Sequence, residues 1–185
     1  MYDIVIVGAR PSGCRVAEEV AKEGFKVLVI DQKKELGKPV KCAGLVSWRI
    51  GKVPEGIILN RIKTAKFCFK NSSFEVFSRR GMYVIDREKY DKFRAERARE
   101  KGAKFKLETK FLGFKKKVLT NRGKFSCKIL VGADGPNSSV ARSFGLELPR
   151  NVLFGMQGRV YSNFEKEKVE LWFDKEFSDE RFAYV

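Results

Sequence analysis

The stretch that decides the fold is MYDIVIVGARPSG, Met1 to Gly13. The β-branched run Ile4 to Val7 predicts a strand buried on both faces of a parallel sheet. Gly8 ends this strand in a tight turn, and Pro11 opens a helix that Gly24 ends. A helix that starts in this way directs free N–H groups at an anion, so the stretch predicts a dinucleotide-binding turn that holds a pyrophosphate.

A second strand extends this pattern. The residues Val27 to Ile30 are all apolar, and Asp31 follows them directly. An acidic side chain at this distance from the glycines accepts a hydrogen bond from a ribose 2′-hydroxyl. Asp31 is therefore predicted to hold an adenosine ribose, with Gln32 beside it in the same site.

One position departs from the dinucleotide pattern. Arg10 stands where the pattern has its middle glycine, whose missing side chain lets the backbone approach the pyrophosphate. Either the guanidinium folds over the phosphates as an extra cation, or the side chain obstructs them, and the sequence leaves both alternatives open. The obstructing alternative predicts that Arg10→Gly raises the affinity for the dinucleotide about tenfold or more.

The composition limits the possible functions. The 185 residues are 43% hydrophobic and 34% charged, which suits a globular protein with one full domain and part of another. The absence of histidine excludes Ser-His-Asp triads and histidine metal sites. The cysteines show no Cys-x-x-Cys pairing, so no metal is predicted. With no apolar run long enough to span a membrane and no room for a signal peptide, we expect a cytoplasmic protein.

The chain carries a net charge of +16, from 39 basic and 23 acidic residues. Its lysines are spread along the sequence, with only Lys115 to Lys117 as a tight run, and no nucleic-acid-binding motif is present. We therefore predict that nucleic acid is not a partner. A basic surface suits an acidic electron-donor protein or an anionic membrane surface, which would place the protein at the membrane periphery.

The chain between residues 32 and 77 predicts a loop and a hairpin. Gln32 to Val53 is irregular and punctuated by glycine and proline, so we predict a loop over the cofactor that ends in a short helix near Ser47 to Ile50. Ala65 to Phe69 and Phe74 to Phe77 alternate aromatic and polar residues, which predicts a β-hairpin from a second domain.

A helix and several short strands follow. The helix is predicted from Arg87 to about Lys101, with its arginines and lysines facing outward. The next segments predict strands, in an arrangement that resembles the three-stranded β-meander of flavin-binding folds: 104–107, 111–114, 117–120 and 124–127.

A second glycine-rich stretch, KILVGADGPNSSVAR at residues 128–142, repeats the strand-then-glycine order. An acid, Asp134, then a second glycine, Gly135, precede a helix that Asn137 or Ser138 would cap. Asp134 can accept a hydrogen bond from a ribityl hydroxyl, and Gly135 lets the backbone come close. The alternative interpretation is an Asx-type turn ahead of a helix.

Together with Tyr83 to Asp91 between them, the two glycine stretches resemble the FAD-dependent geranylgeranyl reductase family, within the group that includes p-hydroxybenzoate hydroxylase. The resemblance covers nearly the whole chain. It implies an α/β architecture: a Rossmann-like FAD-binding fold with a β-meander, plus the start of an antiparallel substrate-domain sheet. It also implies FAD-dependent reduction of C=C bonds in polyprenyl groups, such as those of archaeal lipids, with NADPH or reduced ferredoxin as the electron donor.

The resemblance further implies a role for each motif residue, although it identifies no catalytic residue. The loop KPVKCAG, residues 38–44, looks like the family loop beside the isoalloxazine, which favours the reductase branch over the hydroxylases. Tyr184 looks like the first residue of the family's Tyr-x-Trp-x-Phe-Pro substrate motif. The implied cofactor-binding residues are Gly8, Ala9, Arg10, Pro11, Ser12 and Gly13 at the pyrophosphate, Asp31 and Gln32 at the ribose, Cys42 and Ala43 at the flavin, Arg87 at the phosphate and ribityl region, and Ala133, Asp134 and Gly135 at the ribityl end.

The predicted domains are discontinuous. The FAD-binding domain takes residues 1–64 and 82–150, and a partial substrate-domain sheet takes 65–81 and 151–185, with strands at Phe154 to Tyr161 and Val169 to Phe173. Members of the family are longer and carry a third cofactor motif, so we expect an N-terminal portion that binds FAD weakly unless a C-terminal chain complements it. Two alternatives stay open: a non-catalytic or degenerate FAD-fold fragment that acts as a binding module, and an aromatic-hydroxylase-type flavin monooxygenase.

Overall fold

The computed structural model describes residues 1–152, 154–158, 160–174 and 182–185. The chain divides into two compact units. Unit 1 comprises Met1–Lys41 and Glu88–Gly155, and unit 2 comprises Cys42–Arg87 and Met156–Val185. These units differ from the predicted domains mainly at residues 42–64, which fall in unit 2, and the assignment of a cofactor or substrate role to each unit stays a prediction.

The strands and helices follow the predicted order closely. In chain order they are β1 (Tyr2–Val7), α1 (Pro11–Lys22), β2 (Val27–Ile30), β3 (Leu45–Ser47), β4 (Ile58–Phe69), β5 (Ser72–Ile85), α2 (Arg87–Glu100), β6 (Lys104–Lys106), β7 (Phe111–Lys115), β8 (Lys117–Thr120), β9 (Gly123–Phe125), β10 (Cys127–Gly132), α3 (Ser139–Ser143), β11 (Lys168–Phe173) and β12 (Ala183–Tyr184). Short 3₁₀ turns occupy Trp48–Ile50 and Glu55–Ile57.

Unit 1 is built on a four-stranded parallel sheet in the order β10-β1-β2-β6. Alternate residues of β1 enter two different hydrophobic clusters. Ile4 and Ile6 pack with apolar residues of α1 and α2, whereas Val5 and Val7 pack with Phe111, Val118 and Val140 from the other layer. Both faces of this strand are covered, and Ile4 to Val7 are all buried, as their apolar run predicted.

The meander is the antiparallel sheet β7-β8-β9. The predicted first strand of this group, Lys104 to Leu107, lies elsewhere: Lys104–Lys106 pairs in parallel with β2 in the main sheet. The strand joins the parallel sheet and not the antiparallel meander. The chain turns at Gly102 after α2 and re-enters the edge of the main sheet directly.

The helices α1 and α2 are joined by charged side chains that the sequence placed on the surface. Glu18 is 3% exposed and pairs with Arg94 and Arg97, each at 2.7 Å. The prediction that the basic residues of α2 all face outward is therefore wrong for Arg94, which is 9% exposed. A buried carboxylate needs a cationic partner, and the neighbouring helix supplies one.

Unit 2 contains a five-stranded sheet in the order β12-β11-β4-β5-β3. The predicted hairpin is confirmed, but its strands are longer, and β11 runs parallel to β4 while the other pairs are antiparallel. Leu45–Ser47, predicted as loop, forms β3 because it pairs with β5. The predicted strand at Phe154 to Tyr161 is wrong for the described residues of that range, which form no strand. Arg159 lies outside the described residues.

Candidate functional site

The two glycine turns meet at one edge of the parallel sheet in unit 1. β1 and β10 are parallel neighbours, so both end at this edge, and the Ala133 N–H donates to the Val7 carbonyl at 2.8 Å. A Cβ on Gly8 would lie 2.2 Å from the Ala133 oxygen, and one on Gly13 would lie 1.9 Å from the Gly8 oxygen. The backbones therefore approach so closely that only glycine fits at these two positions.

The first turn of α1 presents unpartnered backbone donors. Pro11 has no N–H, and the Cys14 N–H donates to the Arg10 carbonyl at 3.0 Å. Within the described ranges, the N–H groups of Ser12 and Gly13 have no hydrogen-bond partner. Free N–H groups at the positive end of a 12-residue helix attract an anion such as a pyrophosphate.

Asp31 lies at the carboxyl end of β2 and is fixed against the first glycine turn. Its Oδ2 accepts from the Ala9 N–H at 2.8 Å, and its Oδ1 accepts from the Lys33 N–H at 2.9 Å. Each carboxylate oxygen has a second lone pair, so the group can still accept from a ligand hydroxyl. Gln32 beside it is exposed. The geometry is that of a residue held in place for a ribose, and that role stays a prediction.

The Arg10 guanidinium contacts two other segments of unit 1. Its Nη1 pairs with the Asp91 carboxylate at 2.9 Å, and its Nη2 donates to the Pro39 carbonyl at 2.9 Å. Its φ of −85° and ψ of 175° are extended, so the residue carries none of the strain that a positive φ would impose. No local sequence pattern indicates this pair, because Asp91 lies 81 residues away in α2.

Lys33 is a further residue that sequence reasoning missed. Partial burial, followed by the charge of Arg10 and of Lys41, lowers its pKa from the ordinary 10.5, while Asp31 acts in the opposite direction. In the described part of the chain, its ammonium has no ion-pair partner. Three cations thus lie near a turn with unpartnered N–H groups, which favours an anionic ligand there.

The second glycine turn is satisfied internally. Asp134 accepts from the Ser138 hydroxyl at 2.5 Å, from the Ser139 N–H at 2.7 Å and from the Val140 N–H at 3.2 Å. Ser138 in turn caps α3 by accepting from the Ala141 N–H at 2.9 Å. The turn is thus the capped helix start of the alternative interpretation, and the ribityl contacts of Asp134 and Gly135 stay predictions.

Four of the predicted residues belong to unit 2 and are described within it. Cys42 is half-buried, and Arg87 begins α2. Burial, and then the charge of Cys42, raise the pKa of the Tyr184 phenol, so these two side chains are electrostatic neighbours. Ala43 precedes Gly44, where a Cβ would meet the Ile85 oxygen at 2.2 Å. The flavin role of the loop and the substrate role of Tyr184 stay predictions.

Two other features are absent from the described residues, a metal site and a helix that could span a membrane. Among the described residues, no cluster of histidine, cysteine and acidic side chains has the geometry of a metal site. Over the same ranges, none of the helices has the length and apolarity that crossing a membrane requires. The arrangement of unit 1, with a glycine-only cradle, free N–H groups and a carboxylate at the end of β2, fits a dinucleotide.

Known proteins resemble this chain over most of its length. An uncharacterized protein of Methanosarcina barkeri, encoded in the nifH2 5′ region, is 35% identical over 167 residues, which cover 80% of this chain and 89% of that protein. The digeranylgeranylglycerophospholipid reductase of Methanocaldococcus jannaschii is 28% identical, and the match covers all of this chain and 52% of that protein. The chain therefore spans about half the length of that reductase. No protein-family model matches the chain.

Solved structures support the fold. A geranylgeranyl bacteriochlorophyll reductase-like protein from Thermoplasma acidophilum has a TM-score of 0.80 and 25% identity, over 93% of this chain and 50% of that chain. The halogenase PltM, solved with phloroglucinol and FAD, has a TM-score of 0.64 over 78% of this chain and 36% of its own. At 16% identity the latter shows the fold alone. The predicted Rossmann-like α/β fold with a meander is confirmed.

Proposed function

Since the chain belongs to the geranylgeranyl reductase family, we propose that it acts as an FAD-dependent oxidoreductase that reduces C=C bonds of polyprenyl groups, such as those of archaeal lipids. The observation that carries the proposal is the edge of the parallel sheet where Gly8, Gly13 and Asp31 meet. The name of one relative contains a geranylgeranyl phospholipid, one structural neighbour was solved with FAD, and the first glycine turn supplies what a dinucleotide needs.

The residues that would hold FAD follow from the geometry and the family motifs. The Ser12 and Gly13 N–H groups bind the pyrophosphate, and Asp31 accepts from the adenosine ribose. Bound and reduced, FAD would supply the hydride for one carbon of the double bond, and a proton would be added to the other carbon. The family resemblance assigns further cofactor contacts to Gln32, Ala133, Asp134 and Gly135 of unit 1 and, separately, to Cys42, Ala43 and Arg87 of unit 2.

The charge of the chain bears on its partners. With a net charge of +16, the protein attracts anionic surfaces, and the attraction weakens as salt screens it. We propose an acidic reductant such as reduced ferredoxin, with NADPH as the other candidate donor, and an anionic membrane surface that presents the polyprenyl substrate. An additional C-terminal polypeptide that completes the substrate region is part of the same proposal, because the M. jannaschii relative is about twice as long.

A flavin titration tests the cofactor. We expect FAD to bind the wild type and Asp3→Ala equally, because Asp3 pairs with Lys128 at the opposite end of β1. Asp31→Ala should bind FAD more weakly. An absence of FAD binding in the wild type, also after addition of the C-terminal half of the M. jannaschii reductase, contradicts the proposal and favours a protein-binding module.

A product assay tests the reaction. The protein is loaded with FAD, reduced with dithionite without oxygen, and mixed with a geranylgeranyl lipid. Mass spectrometry should find a gain of one hydrogen pair for each reduced double bond. If the lipid is unchanged while an aromatic acid is hydroxylated in the presence of NADPH and oxygen, the hydroxylase alternative replaces this proposal.

A further inference from the structure

Arg10 occupies a position where a side chain is unexpected, and its contacts are made with other segments of the protein. It lies between β1 and α1 with extended backbone angles that any residue adopts. Its guanidinium is 27% exposed and joins two other segments of unit 1. Nη1 pairs with Asp91 of α2 at 2.9 Å, and Nη2 donates to the carbonyl of Pro39 at 2.9 Å.

The carboxylate partner makes this contact consequential. The Asp91 side chain is 0% exposed, so its charge is removed from water and depends on its partners inside the protein. Removing one member of such a pair costs far more than losing an exposed ion pair, because the other charge stays buried. The planar guanidinium also fixes the angle between its two acceptors, which an ammonium on a flexible chain does not do.

The segment that Arg10 contacts through Pro39 is packed along α2. Gly37 lies so close to this helix that a Cβ on it would be 2.9 Å from the Glu88 Cα. Lys38 pairs with Glu88 at 3.6 Å, and Lys92 pairs with Glu35 at 2.7 Å. The segment at residues 32–41 is thus attached to α2 mainly by exposed ion pairs, which contribute little individually, and Arg10 joins it to the glycine turn.

We propose that Arg10 is a positioning residue: through Asp91 and the Pro39 carbonyl it fixes residues 32–41 against the dinucleotide turn, and contact with the pyrophosphate is left to the backbone N–H groups of Ser12 and Gly13. This arrangement explains how an arginine replaces the middle glycine without blocking the turn. The guanidinium is held by Asp91 and by the Pro39 carbonyl, so the pyrophosphate does not have to supply its partner. The inference concerns the free protein, so it holds or fails independently of the polyprenyl substrate.

The first test uses the protein without any ligand. Arg10→Ala should lower the Tm by about 5 °C or more, because the buried Asp91 carboxylate loses its ion pair with Arg10. Hydrogen exchange at the amides of Gly37 to Lys41 should become at least about tenfold faster, because the segment opens more often. Arg122→Ala is the matched control in the same unit: its partner Glu108 is 51% exposed, so we expect a Tm change within about 2 °C.

A double variant separates the ion pair from other effects of the substitution. In an Asp91→Asn background the ion pair between Arg10 and Asp91 is already absent, so Arg10→Ala should lower the Tm by less than half as much as it does in the wild type. An undiminished loss in that background contradicts the pairing. If Arg10→Ala does not fold, Arg10→Lys replaces it: an ammonium reaches Asp91 but not Pro39 as well, so the loop exchange should still accelerate.

A ligand titration distinguishes positioning from direct phosphate contact. Asp91 is fully buried, so Asp91→Asn changes no atom that touches a phosphate. Positioning predicts that Asp91→Asn weakens FAD binding by a factor similar to that of Arg10→Ala. If Asp91→Asn leaves the affinity unchanged or raises it while Arg10→Ala lowers it, Arg10 is a phosphate ligand and the proposal is overturned. Unchanged melting and unchanged exchange in Arg10→Ala also overturn it.

Discussion

The glycine turn after β1 and the glycine turn after β10 lie side by side, yet their backbone donors differ. After β1, the N–H groups of Ser12 and Gly13 have no partner within the described residues. After β10, Asp134 accepts from the N–H groups of Ser139 and Val140. Two turns that look alike in sequence therefore differ in the donors that are free for a ligand. The N–H groups of the first turn can bind an anion without losing an internal hydrogen bond, whereas those of the second already donate to Asp134.

The largest difference should appear when each turn loses a glycine. Gly13→Ala places a Cβ 1.9 Å from the Gly8 oxygen, so the backbone must shift, and we expect a loss of about 3 kcal/mol or more in the free energy of unfolding. Gly135 has a φ of +88° but open space around it, so Gly135→Ala should cost only about 1 kcal/mol. Urea unfolding of both variants measures the difference. Equal losses would show that the close approach of the backbones is not what makes the first turn rigid.

The two carboxylates should differ in their effect on the ligand. Asp31→Ala should weaken FAD binding by about 1.5–3 kcal/mol, the scale of a hydrogen bond to a charged group. Asp134→Ala should weaken it less, because the oxygens of Asp134 already accept three hydrogen bonds within its own turn. Calorimetric titration of both variants makes the comparison. A larger loss for Asp134→Ala would mean that this carboxylate contacts the cofactor after all.

Asp134 should matter for the stability of the second turn even where it matters little for FAD affinity. Asp134→Ala removes the acceptor for two N–H groups at the start of α3, so we expect a loss of about 1 kcal/mol. Asn137→Ala is the control, because within the described structure the Asn137 side chain makes no hydrogen bond, and it should change stability by less than about 0.5 kcal/mol. Thermal melts without ligand measure both changes. An equal loss of stability in Asn137→Ala would contradict the capping role of Asp134.

The same two turns show what a sequence reveals and what it does not. The β-branched run of β1 and the position of Asp31 follow from periodicity and spacing, so the parallel sheet was predictable. The approach of Gly8 to Ala133 was not, because it depends on the pairing of β1 with β10. The choice of partner for each polar group was not. Asp134 can cap a helix or bind a ribityl chain with the same residues around it, and only the backbone of α3 decides between them.

Long-range pairs are where the sequence is least informative. The partners Arg10 and Asp91 are 81 residues apart, and no local pattern links them. The same reason accounts for the buried Arg94, which a helical pattern places with the other basic residues on the surface. The strand β3 was missed because its three residues carry no period of their own and owe their conformation to pairing with β5. Only tertiary contacts decide such cases.

The smallest expected effect concerns Lys33, which follows Asp31 near the first turn. Its pKa is lowered below 10.5 by partial burial and by Arg10. Between the folded value and 10.5 the unfolded chain binds more protons, so stability rises with pH across this window and the penalty is full below it. Lys33→Gln should therefore stabilise the free protein at neutral pH, by less than about 0.5 kcal/mol, and the gain should vanish as the pH passes 10.5. With saturating FAD the sign should reverse, because the ammonium then gains an anionic partner. Urea unfolding at both pH values, with and without FAD, measures all four differences; a variant that is less stable without ligand would mean that Lys33 already has a partner in the free protein.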